Sequence, residues 1–525
     1  MLRRIIQNKK TLDTICSRSI KSSAVLQEEH KVNQKYTYTY DNKKEPDGYW
    51  TSPVEPEDAY DRAFRVLGKQ FRTIRNNVFF WKRPYRSPWK ELEADSVSFP
   101  SHIDVLIIGG GIMGCSAAYW LKKVGGDNWS VVVVDRKPMN LSRPMLISSN
   151  NLRQQFGLIE NIEMSQFAAD FFKNINYHLR VRGQPRIDIG YRPHGNLFLT
   201  RNEEEAEALE KSVQIMNNAG TKVALLSQDV LKKRFPWLNT DGIVLGTLGL
   251  ELEGSFDPWA LLNAYKTKAL DLGVEFVTAE LKGFIISSTD NEFISSPSTS
   301  TINLNLNLNH ASVQTVSGER KVIQFAMCVI AAGHESSDVA KLMKIGNTTG
   351  IRSVPLPIQK RKRFLYGFEA SNGPGLNTPM VMDTSGCYFK RETLSNHYTA
   401  GRVLQDEDEE SYDENPEPND DFFYNKIHPT LAHRVPAFKD IKLKQSWASF
   451  YDYNTFDGNG IVGVHPYYNH IFFATGFGEH APQMSPAVGR SLCEVMKNGA
   501  FTSINLNRLC FDRFITQEYM TAAVL

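Results

Sequence analysis

The uncharged run Val105-Leu-Ile-Ile108 leads straight into Gly109-Gly-Gly111-Ile-Met-Gly114, and after a helical stretch through Lys123 a second apolar run, Val131-Val-Val-Val134, ends at Asp135. This order predicts strand, glycine turn, helix, strand. Apolar runs without alternation are expected of strands buried on both faces, as in a parallel sheet. The glycines have GxGxxG spacing in its informative context, directly after a strand and opening a helix. Gly109 permits the tight turn, Gly111 lets backbone approach a pyrophosphate, and Gly114 lets helix and strand pack closely. The N–H groups and partial positive charge of the helix N-terminus then favour an anion. Asp135, 21 residues beyond Gly114, is placed to bond ribose hydroxyls. The expected ligand is a dinucleotide contacted by Gly109, Gly111, Ile112, Met113, Gly114, Asp135 and Arg136. On this motif alone, nicotinamide and flavin dinucleotides both stay open.

At 525 residues the chain is too long for one compact core, and two lobes are expected. Residues 1–27 carry six basic side chains and one acidic, with Leu2, Ile5, Ile6, Leu12 and Ile15 at roughly helical spacing. That is the pattern of a mitochondrial targeting segment, with a basic tail lacking fold as the other reading. Without it the formal charge falls from +2 to −3, which argues against a nucleic-acid partner. Residues 28–100, punctuated by Pro53, Pro56, Pro84 and Pro88, read as a linker and an N-terminal arm. The uncharged stretch from Val105 to Leu121 is at the lower length limit of a membrane helix, ~17 residues, and its glycines favour strand and turn instead. Six cysteines stand far apart without CxxC or zinc spacing, so no metal site is expected and a reducing compartment fits.

Further on, residues 162–180 and 203–218 read as helices, and Phe256-Asp-Pro-Trp259 opens a helix ending near Gly273, followed by a short strand at 274–277. Residues 285–320 read as a loop insertion, Ser/Thr-rich and then alternating Asn with Leu, with an exposed hairpin also open. A second insertion, 406–421, is acidic, holds Pro416 and Pro418, and reads as a solvated loop. Two late apolar strands end in small residues, Cys328-Val-Ile-Ala-Ala-Gly333 and Ile471-Phe-Phe-Ala-Thr-Gly-Phe477, with a helix expected from about Pro486 to Met496.

Together with Leu152-Arg-Gln-Gln-Phe156, Phe235-Pro-Trp237, Asp383-Thr-Ser-Gly386, Tyr388-Phe389 and Tyr451-Asp-Tyr-Asn-Thr-Phe-Asp457, these segments carry a resemblance. From about Asp104 onward the chain resembles the D-amino-acid oxidase, sarcosine and dimethylglycine dehydrogenase family of FAD-dependent oxidoreductases. It is most similar to a mitochondrial branch whose members assist assembly of respiratory complex I. The resemblance implies an α/β fold: a doubly wound parallel FAD-binding domain from 101–160, 250–345 and 440–525, interleaved with a mixed-sheet cap or substrate domain from 160–250 and 345–440. It implies FAD contacts at Val277, Ala332, Gly333, Gly476, Phe477, Gly478 and His480, and candidate catalytic residues Arg153, Tyr388, Tyr451 and His480. Complex I subunits or assembly intermediates and a small amine are the implied partners. The implied place is the mitochondrial matrix, peripheral to the inner membrane.

Departures from the family pattern accompany the matches. Gly476-Phe-Gly-Glu-His-Ala481 stands for Gly-Phe-Ser-Gly-His-Gly, placing a carboxylate at Glu479. Glu335 stands where the family has an aromatic residue, Asn150 and Asn151 stand where two glycines precede Arg153, and Gln483 occupies the place of a carboxylate-binding lysine. No histidine lies between Asp135 and Gly157, where some relatives attach flavin covalently, and Cys387 is not expected to serve, so FAD is expected to be noncovalent. GxSxG, HExxH and Walker motifs are absent, leaving the chemistry to the flavin. Three readings follow: an assembly factor with or without redox activity, a working secondary-amine or amino-acid dehydrogenase, and a binding module that has lost flavin.

Overall fold

A computed structural model describes residues 99–136, 150–288, 306–392, 396–403 and 412–520. The targeting segment, the arm to residue 98, residues 289–305 and residues 406–411 of the acidic insertion lie outside them.

The first apolar run forms β1 (His102–Ile108), the residues after the glycines form α1 (Ile112–Gly125), and the second run forms β2 (Val131–Asp135). β1 lies between β2 and the strand Arg320–Ile330, parallel to both. The sheet extends parallel to Glu275–Ser288 beyond β2 and to Ile471–Thr475 beyond Arg320–Ile330, with Ile461–Val464 antiparallel at that edge. Alternate residues feed two cores. Val105, Ile107, Val131 and Val133 face one, while Leu106, Ile108, Val132 and Val134 face the other. Burial on both faces is why the runs are continuously apolar. Helix Pro258–Asp271 and α2 (Ala481–Asn498) join α1 on the first face, where Ser116 Oγ donates to the Ser485 carbonyl at 2.6 Å. The Val105–Leu121 stretch is therefore a strand, a turn and most of a helix. No helix among the described residues is long and apolar enough to cross a membrane.

Three expectations change. Within 285–320, Leu306–Thr315 is a strand, antiparallel to both Glu275–Ser288 and Arg320–Ile330. Leu308, Ala311 and Val313 are fully buried in it, so part of what reads as low complexity is a one-sided strand against a core. Lys442–Asn454, on the far side of the expected boundary at 440, pairs along its whole length with Ile358–Glu369 in the second sheet. Helix α2 begins at Ala481, ahead of Pro486, because the carbonyl that Pro486 cannot serve accepts instead from Ser485 Oγ at 2.9 Å.

Among the described residues, the second sheet has eight strands in the order Lys442–Asn454, Ile358–Glu369, His397–Arg402, Cys387–Arg391, Met380–Met382, Asn196–Thr200, Leu245–Gly249, Val223–Ser227. Among the described residues, only Met380–Met382 with Asn196–Thr200 is a parallel pair, so the sheet is mixed. One face buries Phe364, Tyr366 and Phe368 against Phe422, Phe423 and Phe438. Arg434, closing the helix His428–Arg434, pairs there with Asp383 and donates to the Asp241 carbonyl at 2.7 Å.

Candidate functional site

A cavity of about 560 Å³ opens at the carboxyl ends of β1, β2 and Arg320–Ile330. Gly109, at φ +104°, turns the chain where a Cβ would lie 2.3 Å from the Ala331 carbonyl oxygen. The Gly110 N–H donates to Asp135 Oδ2 at 2.7 Å, which fixes the carboxylate on the wall. Gly111 caps α1 without any side-chain hydrogen bond, and Gly111, Ile112 and Met113 all line the cavity. A helix N-terminus presented in this way suits a phosphate. Arg136 and Glu335, ion-paired to each other, also line it. The cradle, the helix end and the acidic residue fit the pyrophosphate and ribose of a dinucleotide.

The far end of the cavity is formed by Tyr451, Asp452, Gly478 and Ala481. Asp452 is a residue missed in the sequence, where it reads as one acid in an aromatic strand. Its Oδ2 accepts from Gly476 N at 2.5 Å and Thr475 Oγ1 at 3.2 Å, joining the second sheet to the last parallel strand. Burial pushes its carboxyl up, against those hydrogen bonds. Ala332, Gly333 and His334 complete this wall, with the His334 ring centre 6.2 Å from that of Phe450.

Other expected contacts stand back from the cavity. Gly114 lies beneath the turn, where a Cβ would be 1.9 Å from the Gly109 carbonyl oxygen. Val277 packs into the core, and the wall is taken up farther along that strand by Ala279, Glu280 and Leu281. Gly476 serves Asp452, and the Phe477 ring fills the space above Gly460. Tyr388 is buried with Leu365 and Met380, and lines neither this cavity nor the next.

The turn Gly478–His480 divides the large cavity from a small one of about 10 Å³. Gly478 and Ala481 face the first; Glu479 and His480 face the second, with Arg153. Arg153 lies 4.4 Å from the Phe156 ring centre, its backbone N–H donates to Gln483 Oε1 at 2.9 Å, and its Nη2 reaches His480 Nε2 at 3.1 Å. A guanidinium only donates, so His480 Nε2 accepts and the imidazole proton sits on Nδ1. Burial, then the charges of Arg153 and Arg363, hold His480 well below its ordinary pKa and keep it neutral. Gln483 is committed to the Arg153 backbone. Of the four candidate catalytic residues, Arg153 and His480 are brought together, Tyr451 lies on the large cavity, and Tyr388 is apart.

Behind Arg153 lies Glu253, also missed in the sequence. It accepts from Gln154 N at 2.7 Å and from Gln155 Nε2 and Asn196 Nδ2 at 2.9 Å each. Burial raises its pKa, yet all three partners are donors, which favours the carboxylate. Glu253→Gln would bring an amide donor to where donors already converge. It is expected to cost about 1–3 kcal/mol, read as a lower thermal unfolding temperature; an unchanged temperature would mean that Glu253 is protonated.

The glycine departures are accommodated. Asn150 adopts φ +50°, the left-handed conformation that asparagine tolerates best after glycine. Ala481 has φ −50° as the first residue of α2, where no glycine is needed.

A family profile described as FAD dependent oxidoreductase matches residues 104–495. The chain is 43% identical over 437 residues to FAD-dependent oxidoreductase domain-containing protein 1 of Xenopus laevis, covering 82% of this chain and 86% of that protein. It is 42% identical over 424 residues to the Drosophila melanogaster homologue, covering 80% of each. Its fold is similar to that of L-proline dehydrogenase from P. horikoshii, with TM-score 0.64, 21% identity, and coverage of 80% of this chain and 100% of that one.

Proposed function

The chain belongs to the FAD-dependent oxidoreductase family, and from that membership we propose that it is a mitochondrial flavoprotein that holds FAD noncovalently and oxidises a small amine. The observation that carries this reading is the placement of the Gly478–His480 turn, with a dinucleotide cavity on one side and the buried Arg153–His480 pair on the other. FAD, when bound, supplies the hydride acceptor. The protein's own part is positional and electrostatic. The N-terminus of α1 would hold the pyrophosphate and Asp135 the ribose. The N-terminus of α2 begins at Ala481 on the cavity wall, where its partial positive charge favours negative charge at the far end of the ligand. Neutral His480, its Nε2 engaged by Arg153, orients that guanidinium and is not the group that takes a proton. Cys387 lies away from the cavity lining, which supports noncovalent binding.

The basic leader and the motif resemblance support a place in the mitochondrial matrix, peripheral to the inner membrane, with assembly intermediates of respiratory complex I as partners. Recovery of complex I subunits with the tagged chain from mitochondria would bear on this part, and their absence would remove it. The central test is the visible spectrum of the purified protein before and after acid precipitation. Flavin bands released to the supernatant are expected. A protein that stays colourless after incubation with FAD would overturn the reading.

A further inference from the structure

We infer that Asp452 sets the electron affinity of the flavin site: its carboxylate is a fixed negative charge at the far end of the large cavity, placed against the positive end of α2. This rests on the flavoprotein reading above and names a positioning residue for it. Asp452 is buried and lines the cavity together with Gly478 and Ala481. It belongs to the second sheet, whereas the turn it holds follows the last parallel strand of the first. A buried carboxylate ordinarily has a cation beside it. No cation pairs with Asp452 among the described residues. Lys360, opposite it in the strand pairing, puts its Nζ 3.9 Å from the centre of the Phe450 ring instead.

What holds the carboxylate is a set of neutral donors. Its Oδ2 accepts from the Gly476 N–H at 2.5 Å and from the Thr475 hydroxyl at 3.2 Å. Thr475 Oγ1 also lies 2.9 Å from Ser336 Oγ and 3.3 Å from the Gly333 carbonyl oxygen. A hydroxyl has a single proton to give, and the charged acceptor is the stronger. Ser336, fully buried, therefore donates to Thr475, and a chain of hydroxyls from the end of the strand Arg320–Ile330 stops at Asp452. Such donors favour the ionised carboxylate. Being neutral, they leave its charge uncancelled, and burial keeps salt from screening it. A carboxylate carries a whole unit of charge, against about half a unit at a helix N-terminus. A hydride adds one negative charge to the group that accepts it, so Asp452 opposes that transfer while the end of α2 assists it.

The test uses the full chain loaded with FAD, with the flavin potential measured by spectral titration against a reference dye. Asp452→Asn can keep an oxygen in the place of Oδ2 and removes the charge. It is expected to retain FAD and to favour the reduced over the oxidised form at least about tenfold more than the wild type does, a rise of ~30 mV for a two-electron couple. Asp452→Ala gives up the two bonds as well, and should show a rise of the same sign with less FAD retained. Glu207→Gln, which removes an exposed carboxylate on the helix Glu203–Asn218, should leave the potential where it was. A residue that only holds the turn would change FAD content and thermal unfolding without moving the potential in Asp452→Asn. An unchanged or lowered potential in Asp452→Asn, or loss of its FAD, would overturn the inference and leave the flavoprotein reading standing. A wild-type chain that holds no FAD overturns that reading and this inference with it.

Discussion

Gly114→Val is expected to yield a folded chain that purifies without flavin. The position has no room: a Cβ there would lie 1.9 Å from the Gly109 carbonyl oxygen and 3.3 Å from Ile107 Cγ2. The first neighbour is backbone, so no rotamer change relieves the clash, and α1 must move away from β1. That movement carries the helix N-terminus out of register with the cavity wall formed by Gly109, Gly111 and Ile112. Overpacking typically costs about 1–3 kcal/mol, and a displaced phosphate cradle loses affinity tenfold for each ~1.4 kcal/mol. A FAD to protein ratio reduced by at least about tenfold is therefore expected after desalting. Gly375→Ala, on an exposed loop with nothing within 4 Å of its Cβ, is the control and should keep its flavin. Full flavin content in Gly114→Val would mean that close packing of α1 on β1 does not support the site.

The dinucleotide half of this site was legible because its physics is local. A strand buried on both faces leaves an apolar run, a glycine cradle leaves glycines, and both lie within one short stretch from Asp104 to Asp135. Glu253, Arg363 and Asp452 were not legible because a buried ion is explained by its partners, and those come from distant segments. In the sequence Arg363 is one of four consecutive basic residues, Lys360 to Arg363, with nothing nearby to mark a buried charge; in the structure Arg361, Lys362 and Arg363 are all buried. Tyr388 and Tyr451 show the same limit, since the residue type is identical and only the fold puts one of them on the cavity. Asn150 shows the converse: a lost glycine read as damage, while the backbone kept the glycine conformation.

Arg434→Met is expected to be the most destabilising single change on the second sheet. Arg434 and Asp383 are 4% and 6% exposed, and their ion pair is joined by donation from Arg434 Nη1 to the Asp241 carbonyl at 2.7 Å. Three separate segments meet at this one guanidinium. Removing it strands a buried carboxylate and a buried carbonyl, a loss of about 3–5 kcal/mol for the broken pair. Burial alone would raise the pKa of Asp383, but hydrogen bonds from Ser385 and Arg434 outweigh it and hold the group below its ordinary value. A lowered folded-state pKa stabilises the fold above the unfolded value of ~3.9, and that contribution is lost as pH falls through the folded value. The difference in thermal unfolding temperature between wild type and Arg434→Met should thus be full at neutral pH and shrink below about pH 4. Arg434→Met combined with Asp383→Leu should recover much of the loss, because an apolar pair leaves no stranded charge. A double variant no more stable than Arg434→Met would place the cost in the contacts to Asp241 and Asn239, and a single variant as stable as wild type would show that the pair contributes nothing to holding these segments together.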